Sequence, residues 1–355
     1  MKHLLIMAAG TGGHIFPGLA IADTMRARGW QVSWLGTQRG MESDIVPARG
    51  ISFDAIDFSG LRGKGMLHAL KGVAKMFVGL LHCGAIIRRR QPDVVLGMGG
   101  YVTVPGGLMA AVHGKPLALM NADVALLMSN KALLPFAKKI LFGFSAAGAS
   151  DAKSQITGNP VRKEIRSLPE PTQRYLNRSG PLNILVIGGS LGARVLNDTV
   201  PAALARIPVQ DRPHVVHQSG KQNIDALKKN YADAGVEAEV VDFIDDMATR
   251  YAEADLVICR AGAITVTELC AAGVASVLVP LVVSTTSHQR NNAQWMAGND
   301  AAIHLPQQAL GADALASLLR DMTRERCLQL AEHAYQQGKR DANDTIAGVL
   351  EDLGK

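Results

Sequence analysis

Two doubly wound α/β domains in tandem are predicted by this sequence, and three observations predict them. The chain has 355 residues, too many for one ordinary core. Its apolar runs are continuous rather than alternating, as in strands of a parallel sheet covered on both faces. One plan, a strand followed by a Gly-rich turn and a helix, opens each half of the chain. Aromatics at 5% and 36 glycines fit helix-covered sheets better than a β-sandwich. The two Rossmann-like units are expected to face each other across a cleft.

The first strand is read at His3–Ala9, the turn at Gly10-Thr11-Gly12-Gly13-His14, and a helix from about Phe16 to Arg28. Further strands in this half are expected at Val32–Gly36, Val94–Gly97, Pro116–Leu119 and Ile140–Phe144. The second copy starts with a strand at Asn183–Ile187, a turn over Gly188-Gly189-Ser190-Leu191-Gly192-Ala193 and a helix over Arg194–Ala205. Apolar runs at His214–His217, Glu239–Phe243, Leu256–Cys259 and Ser276–Pro280 continue it. Gly158-Asn159-Pro160 interrupts the pattern, so the domains are set at 1–160 and 161–335. The stretch Arg324–Leu353 reads as one or two amphipathic helices, with 336–355 expected to return to the first domain.

Several classes are excluded. Cys83, Cys259, Cys270 and Cys327 are scattered with no CxxC pair, which argues against a disulfide framework or a zinc site and favours a reducing, cytoplasmic setting. The apolar opening of the chain runs straight into a Gly-rich turn, unlike a signal peptide. The uncharged stretch Leu96–Gly114 holds too many Gly and Pro residues for a lipid-exposed helix. The basic surplus lies wholly in residues 1–160, where 17 Lys and Arg meet 8 Asp and Glu. That half should face something anionic. Nucleic acid is a poor fit, because the basic residues lack interleaved aromatic platforms.

Gly-rich turns between strand and helix suit phosphates, since the missing Cβ atoms allow close approach and the helix start offers free N–H groups. A tight strand-to-helix connection favours Gly for structural reasons as well, so one turn alone says little. A third run, Gly97-Met98-Gly99-Gly100-Tyr101, ends another strand, and ligands of open α/β sheets bind at such ends. Together the three runs point to a diphosphate. The first turn lacks GxGxxG spacing, no acidic residue closes the strand near Trp34–Gly36, and no GxxxxGK[ST] occurs, which disfavours dinucleotide oxidoreductases and P-loop ATPases.

The run Met7-Ala8-Ala9-Gly10-Thr11-Gly12-Gly13-His14-Ile15-Phe16-Pro17-Gly18 closely resembles the opening of the MurG glycosyltransferases of peptidoglycan synthesis. So do Ser59–Gly65, Gly97–Tyr101, Gly158-Asn159-Pro160-Val161-Arg162, Gly188–Ala193, Phe243–Met247 and Arg260–Glu268, in order along nearly the whole chain. The resemblance implies a GT-B fold and an inverting transfer of N-acetylglucosamine from its UDP donor. The acceptor would be undecaprenyl-diphosphate-linked N-acetylmuramoyl-pentapeptide (lipid I) and the product lipid II, for cell-wall growth, shape and division. Domain 1–160 would then bind acceptor and membrane, and 161–335 the UDP-sugar.

Residue roles follow from the same resemblance. Ser190 and its neighbours would contact the donor diphosphate, with Arg162 facing the nucleotide and the Ile244 backbone reading the uracil edge. Ala263, Ile264, Thr265, Val266, Thr267 and Glu268 open a helix whose start suits an anion, with Glu268 accepting from the ribose hydroxyls. The bland alternative is that Glu268 caps that helix. Gln289 and Asn292 would read sugar hydroxyls, and Thr11, Gly12, Gly13 and Asp123 belong to the same donor set. Gly10, Gly99, Gly100 and Tyr101 would shape the acceptor side. His14 is the candidate base, with acceptor positioning as its alternative role. No DxD motif occurs, and the chain is expected to use neither metal nor cofactor.

The chain departs from the family where it reads Met120-Asn121-Ala122-Asp123 in place of His-Glu-Gln-Asn, so Asp123 is expected to supply the missing carboxylate. Ser287 replaces an Asp that often precedes the His-Gln pair. Between Gly65 and Arg90, Lys71, Lys75 and Arg88-Arg89-Arg90 alternate with apolar residues. This suggests peripheral binding to anionic lipid at the cytoplasmic face of the membrane, and the family implies a place in a cell-wall synthesis complex. Two rivals stand beside this reading. One is a UDP-sugar transferase of the same fold with another acceptor. The other is a catalytically silent sugar-nucleotide binding protein.

Overall fold

The computed structural model describes residues 1–10, 12–57, 66–145, 152–189, 192–281 and 287–355, without the side chains of 66–75. Two compact units result: Met1–Arg162 with Arg340–Lys355, and Lys163–Lys339.

In the N-terminal unit a seven-stranded sheet runs through β1 (His3–Ala8), β2 (Gln31–Thr37), β3 (Ser52–Ile56), β4 (Val94–Gly99), β5 (Leu117–Asn121), β6 (Lys139–Phe142) and β7 (Ser154–Ile156). Their order is β3-β2-β1-β4-β5-β6-β7, and every pair is parallel. The apolar runs are continuous because both faces are covered. Along β1, Leu4, Ile6 and Ala8 enter one core with Leu19 and Leu350, whereas Leu5 and Met7 enter another with Ile87 and Leu133. The helix Gly12–Ala27 starts at the glycines rather than at Phe16, where the sequence pattern first becomes periodic. Gly18 lets it approach the sheet, since a Cβ there would meet the Trp34 ring at 2.6 Å.

The C-terminal unit repeats the plan in β8 (Asn183–Ile187), β9 (His214–Gln218), β10 (Glu239–Val241), β11 (Leu256–Cys259), β12 (Ser276–Leu278) and β13 (Ile303–His304). The order β10-β9-β8-β11-β12-β13 is again all parallel. At its base the wholly buried Asp255 accepts from Arg178, at 2.6 Å, and from the backbone N–H of Asn183.

The chain leaves the first unit after Arg162 and re-enters it at Arg340. Val161 belongs to the first unit because its N–H donates to Asn343 Oδ1 at 3.0 Å. Of the two terminal helices, Arg324–Gln337 buries Cys327, Leu330 and Ala331 in the second unit's core. Ala342–Leu353 packs on the helix Gly12–Ala27, where Arg28 pairs with Asp344 and Glu351. All four cysteines are buried, and none of them forms a disulfide.

A histidine buried in β9 makes the second unit sensitive to acid. His217 contacts the Tyr231 hydroxyl through Nδ1 at 2.9 Å, while its Nε2 is enclosed without a partner. Burial pushes its pKa down to about 3. The unfolded chain, with a histidine pKa near 6.5, therefore takes up the proton first as pH falls. The stabilisation is complete above pH 6.5 and is lost on acidification toward pH 3, at up to about 1.4 kcal/mol per pH unit. Denaturant unfolding at pH 6.5 and 4.5 should differ by roughly 2–3 kcal/mol more in the native chain than in His217→Asn. Equal pH dependence would show that His217 is not the cause.

Candidate active site

In both sheets the strand order reverses beside the first strand, which places a switch point between β1 and β4 and another between β8 and β11. Each unit thus offers a candidate site at the C-terminal ends of two neighbouring strands.

In the N-terminal unit, Gly10 follows β1 shortly before the helix that Gly12 opens, and Gly100 and Tyr101 follow β4. His14 lies in the first turn of its helix. Its ring packs so closely on Gly99 that a Cβ there would meet Nδ1 at 2.6 Å. Gly100 similarly clears the Ala9 carbonyl oxygen, 2.2 Å from its would-be Cβ, and φ values of +114° and +87° make side chains at both positions strained. These glycines, expected as an acceptor cradle, are thus required by the packing of His14 and Ala9. The enclosed Nδ1 has no hydrogen-bond partner. Burial lowers the imidazole's pKa, and the Asp123 carboxylate and Met98 backbone oppose that without cancelling it. The ring is therefore neutral at pH 7.

Asp123 is half-buried in the turn after β5. Tyr101 is exposed at the mouth of the β4 run. Arg162 lies with the first unit, its guanidinium 5.9 Å from the centre of the Phe16 ring. Gly12 and Gly13 open the helix, and Gly12 sits tight against the Phe16 ring. Thr11 lies outside the described residues.

Glu42 is a participant that sequence reasoning missed. Wholly buried, it accepts from the Thr37 N–H at 3.0 Å, the Thr37 hydroxyl at 2.7 Å and the Gly10 N–H at 3.3 Å. A carboxylate therefore does stand at the end of β2, but it anchors the Gly10 turn. The signal was Gly36 and Gly40, whose would-be Cβ atoms both fall on the Glu42 side chain.

In the C-terminal unit, the turn after β8 is described at Gly188, Gly189, Gly192 and Ala193, and Ser190 lies outside the described residues. Gln218 fastens this turn by donating to the carbonyls of Gly189, at 3.1 Å, and Asp242, at 3.3 Å. Ile244 follows that second anchor and is nearly buried, just before Asp246 caps its own helix through the Thr249 N–H. Arg260 spans from β11 to the Val279 carbonyl and Gln307.

The helix Ala263–Ala272 starts after Gly262 with no side-chain cap. Ala263, Ile264 and Thr265 are partly exposed at its start, and Val266 and Thr267 turn inward. Glu268 is the sixth helical residue and 7% exposed, with the Tyr251 hydroxyl 3.5 Å from its carboxylate. It lies beyond the first turn, so it does not cap the helix. Gln289 uses its carbonyl oxygen on the Leu281 N–H at 2.8 Å, which leaves its NH₂ as the group able to reach a ligand. Asn292 is fully buried and donates to the Ala261 carbonyl at 3.1 Å, which supports the turn after β11. Among the described residues no cluster of His, Cys, Asp and Glu is arranged to hold a metal.

Two doubly wound units, each with a Gly-rich turn at its switch point, have the fold of a nucleotide-sugar glycosyltransferase, and family comparison shows that class. Residues 4–142 match the glycosyltransferase family 28 N-terminal domain, and 183–346 match its C-terminal domain. The chain belongs to the MurG family within it. It is 65% identical over 356 aligned residues to the UDP-N-acetylglucosamine–N-acetylmuramyl-(pentapeptide) pyrophosphoryl-undecaprenol N-acetylglucosamine transferase of Janthinobacterium sp. (strain Marseille), covering 100% of this chain and 99% of that one. The transferase of the same name from Herminiimonas arsenicoxydans is 66% identical with the same coverage. The crystal structure of Acinetobacter baumannii MurG superposes with a TM-score of 0.84 at 35% identity, covering 99% of this chain and 100% of that one.

Gly99→Ala should displace the His14 ring, lowering transfer at least about tenfold while costing roughly 1–3 kcal/mol of stability. Unchanged turnover in the folded variant would show that the Gly99–His14 packing is immaterial to the reaction.

Proposed function

We propose that this chain transfers N-acetylglucosamine from UDP-N-acetylglucosamine to lipid I, giving lipid II with inversion at the anomeric carbon. The observation that carries this reading is the whole-length identity of 65–66% to transferases bearing that name. A hydroxyl of the acceptor sugar attacks the anomeric carbon, the bond to the UDP oxygen breaks, and the hydroxyl proton passes to a base.

His14 is that base in this proposal, because it is neutral at pH 7 and stands at the strand ends where a ligand binds. Asp123 stabilises the imidazolium that forms. In the second unit, Glu268 accepts from the ribose hydroxyls, the Ile244 backbone meets the uracil edge, and the Gln289 NH₂ donates to the sugar. The turn at Gly188–Ala193, including Ser190, and the uncapped helix start at Ala263 meet the diphosphate, with Arg162 adding positive charge to the leaving group. These groups stabilise the leaving group without a metal, so transfer should persist in excess chelator. Loss of activity that added Mg²⁺ or Mn²⁺ restores would refute metal independence.

The acceptor's lipid places the N-terminal unit at the cytoplasmic face of the membrane in this proposal, within reach of a cell-wall synthesis complex. No helix among the described residues is long and apolar enough to cross a bilayer. The helix Met66–Arg90 instead exposes Phe77, Val78 and Leu81, with Arg88 further along. The arginine triplet contributes less free charge than its sequence suggests, since Arg89 and Arg90 both pair with the nearly buried Asp54. Apolar insertion therefore carries much of the contact. Phe77→Asp with Leu81→Asp should weaken binding to vesicles containing acidic lipid at least about tenfold, while transfer to a soluble lipid I analogue persists. Unaltered vesicle binding would move the membrane contact elsewhere.

A further inference from the structure

We infer that Asn121, backed by Asn130, is a positioning residue for the transfer: its carboxamide folds the turn 122–127 and so fixes the main chain that carries Asp123. This rests on the proposed role of Asp123.

Asn121 ends β5 and is wholly buried. Its Nδ2 donates to the carbonyls of Asp123 at 2.8 Å and Ala125 at 3.2 Å. Its Oδ1 accepts from the Leu127 N–H at 2.9 Å and from Asn130 Nδ2 at 3.2 Å. One carboxamide thus uses both donors and both acceptor sites, three of the four on the main chain of one turn. Asn130, also wholly buried, is itself fixed by donation to the Met120 carbonyl at 3.0 Å. Asn159 holds the Ala122 carbonyl at 2.9 Å, so the turn is fastened along its whole length.

Aspartate at 121 would not keep these four hydrogen bonds. A carboxylate has no donor, so the Asp123 and Ala125 carbonyls would face negative charge instead of an N–H. The amide at 121 and the carboxylate at 123 therefore form one arrangement: the amide builds the turn, and the turn carries the charge. From that place Asp123 acts on His14, opposing the effect of the ring's burial.

The test is a double-mutant cycle on the full chain, with kcat and KM for UDP-N-acetylglucosamine measured for Asn121→Asp, Asp123→Asn and both together. Asn121→Asp should lower kcat at least about tenfold with KM changed less than about threefold, and should cost less than about threefold when Asp123 is already Asn. Asn130→Ala, which removes one donor from the pair, should lower kcat by a few-fold in a folded protein. It serves in the same cycle if Asn121→Asp does not fold. A silent Asp123→Asn would overturn both the role of Asp123 and this inference. A damaging Asp123→Asn, combined with a silent Asn121→Asp or with losses that multiply, would overturn this inference alone.

Discussion

The packing of one imidazole against one glycine governs the candidate site of the N-terminal unit. His14 rests on the backbone of Gly99, a contact available only because β1 and β4 are neighbours and the chain leaves β4 with positive φ at Gly99 and Gly100. Burial there keeps the ring neutral, and the nearby Asp123 offsets part of that effect. Two opposing electrostatic influences are thereby set on one nitrogen heterocycle, an arrangement that suits a group which must be uncharged before the reaction and charged during it.

In each unit, buried side chains fasten the main chain of strand-end loops. Glu42 holds the Gly10 N–H, Asn121 the turn bearing Asp123, Gln218 the Gly189 carbonyl and Asn292 the Ala261 carbonyl. Each bond is worth about 1 kcal/mol net, yet leaving its buried partner unmade costs more. Strand-end loops are thus kept in place by groups that need not touch substrate, and Glu268, the proposed ribose contact, sits on a helix.

The tandem plan was legible because a fully covered parallel strand must be apolar along its length, and His3–Ala8 and Asn183–Ile187 both are. The Gly-rich turns were legible for the same physical reason that they exist, close approach of backbone. Their partners were not. Nothing in the linear order shows that Gly99 serves His14, or that Glu42 closes back on Gly10 from 32 residues away. The Asn292 side chain donates to the Ala261 carbonyl, a partner that its place beside Gln289 in the sequence does not reveal. The exchange at Asn121 was visible as a departure, but its meaning depended on four hydrogen bonds that only the folded turn reveals.

The most direct test of this account is an NMR titration of the His14 imidazole in the full-length protein, assigned by comparison with His14→Gln. A midpoint below the ordinary value near 6.5, moving lower still in Asp123→Asn, is predicted. A midpoint at or above 6.5, or one that ignores Asp123, would contradict the claim that burial and the Asp123 carboxylate together set the protonation state of this imidazole.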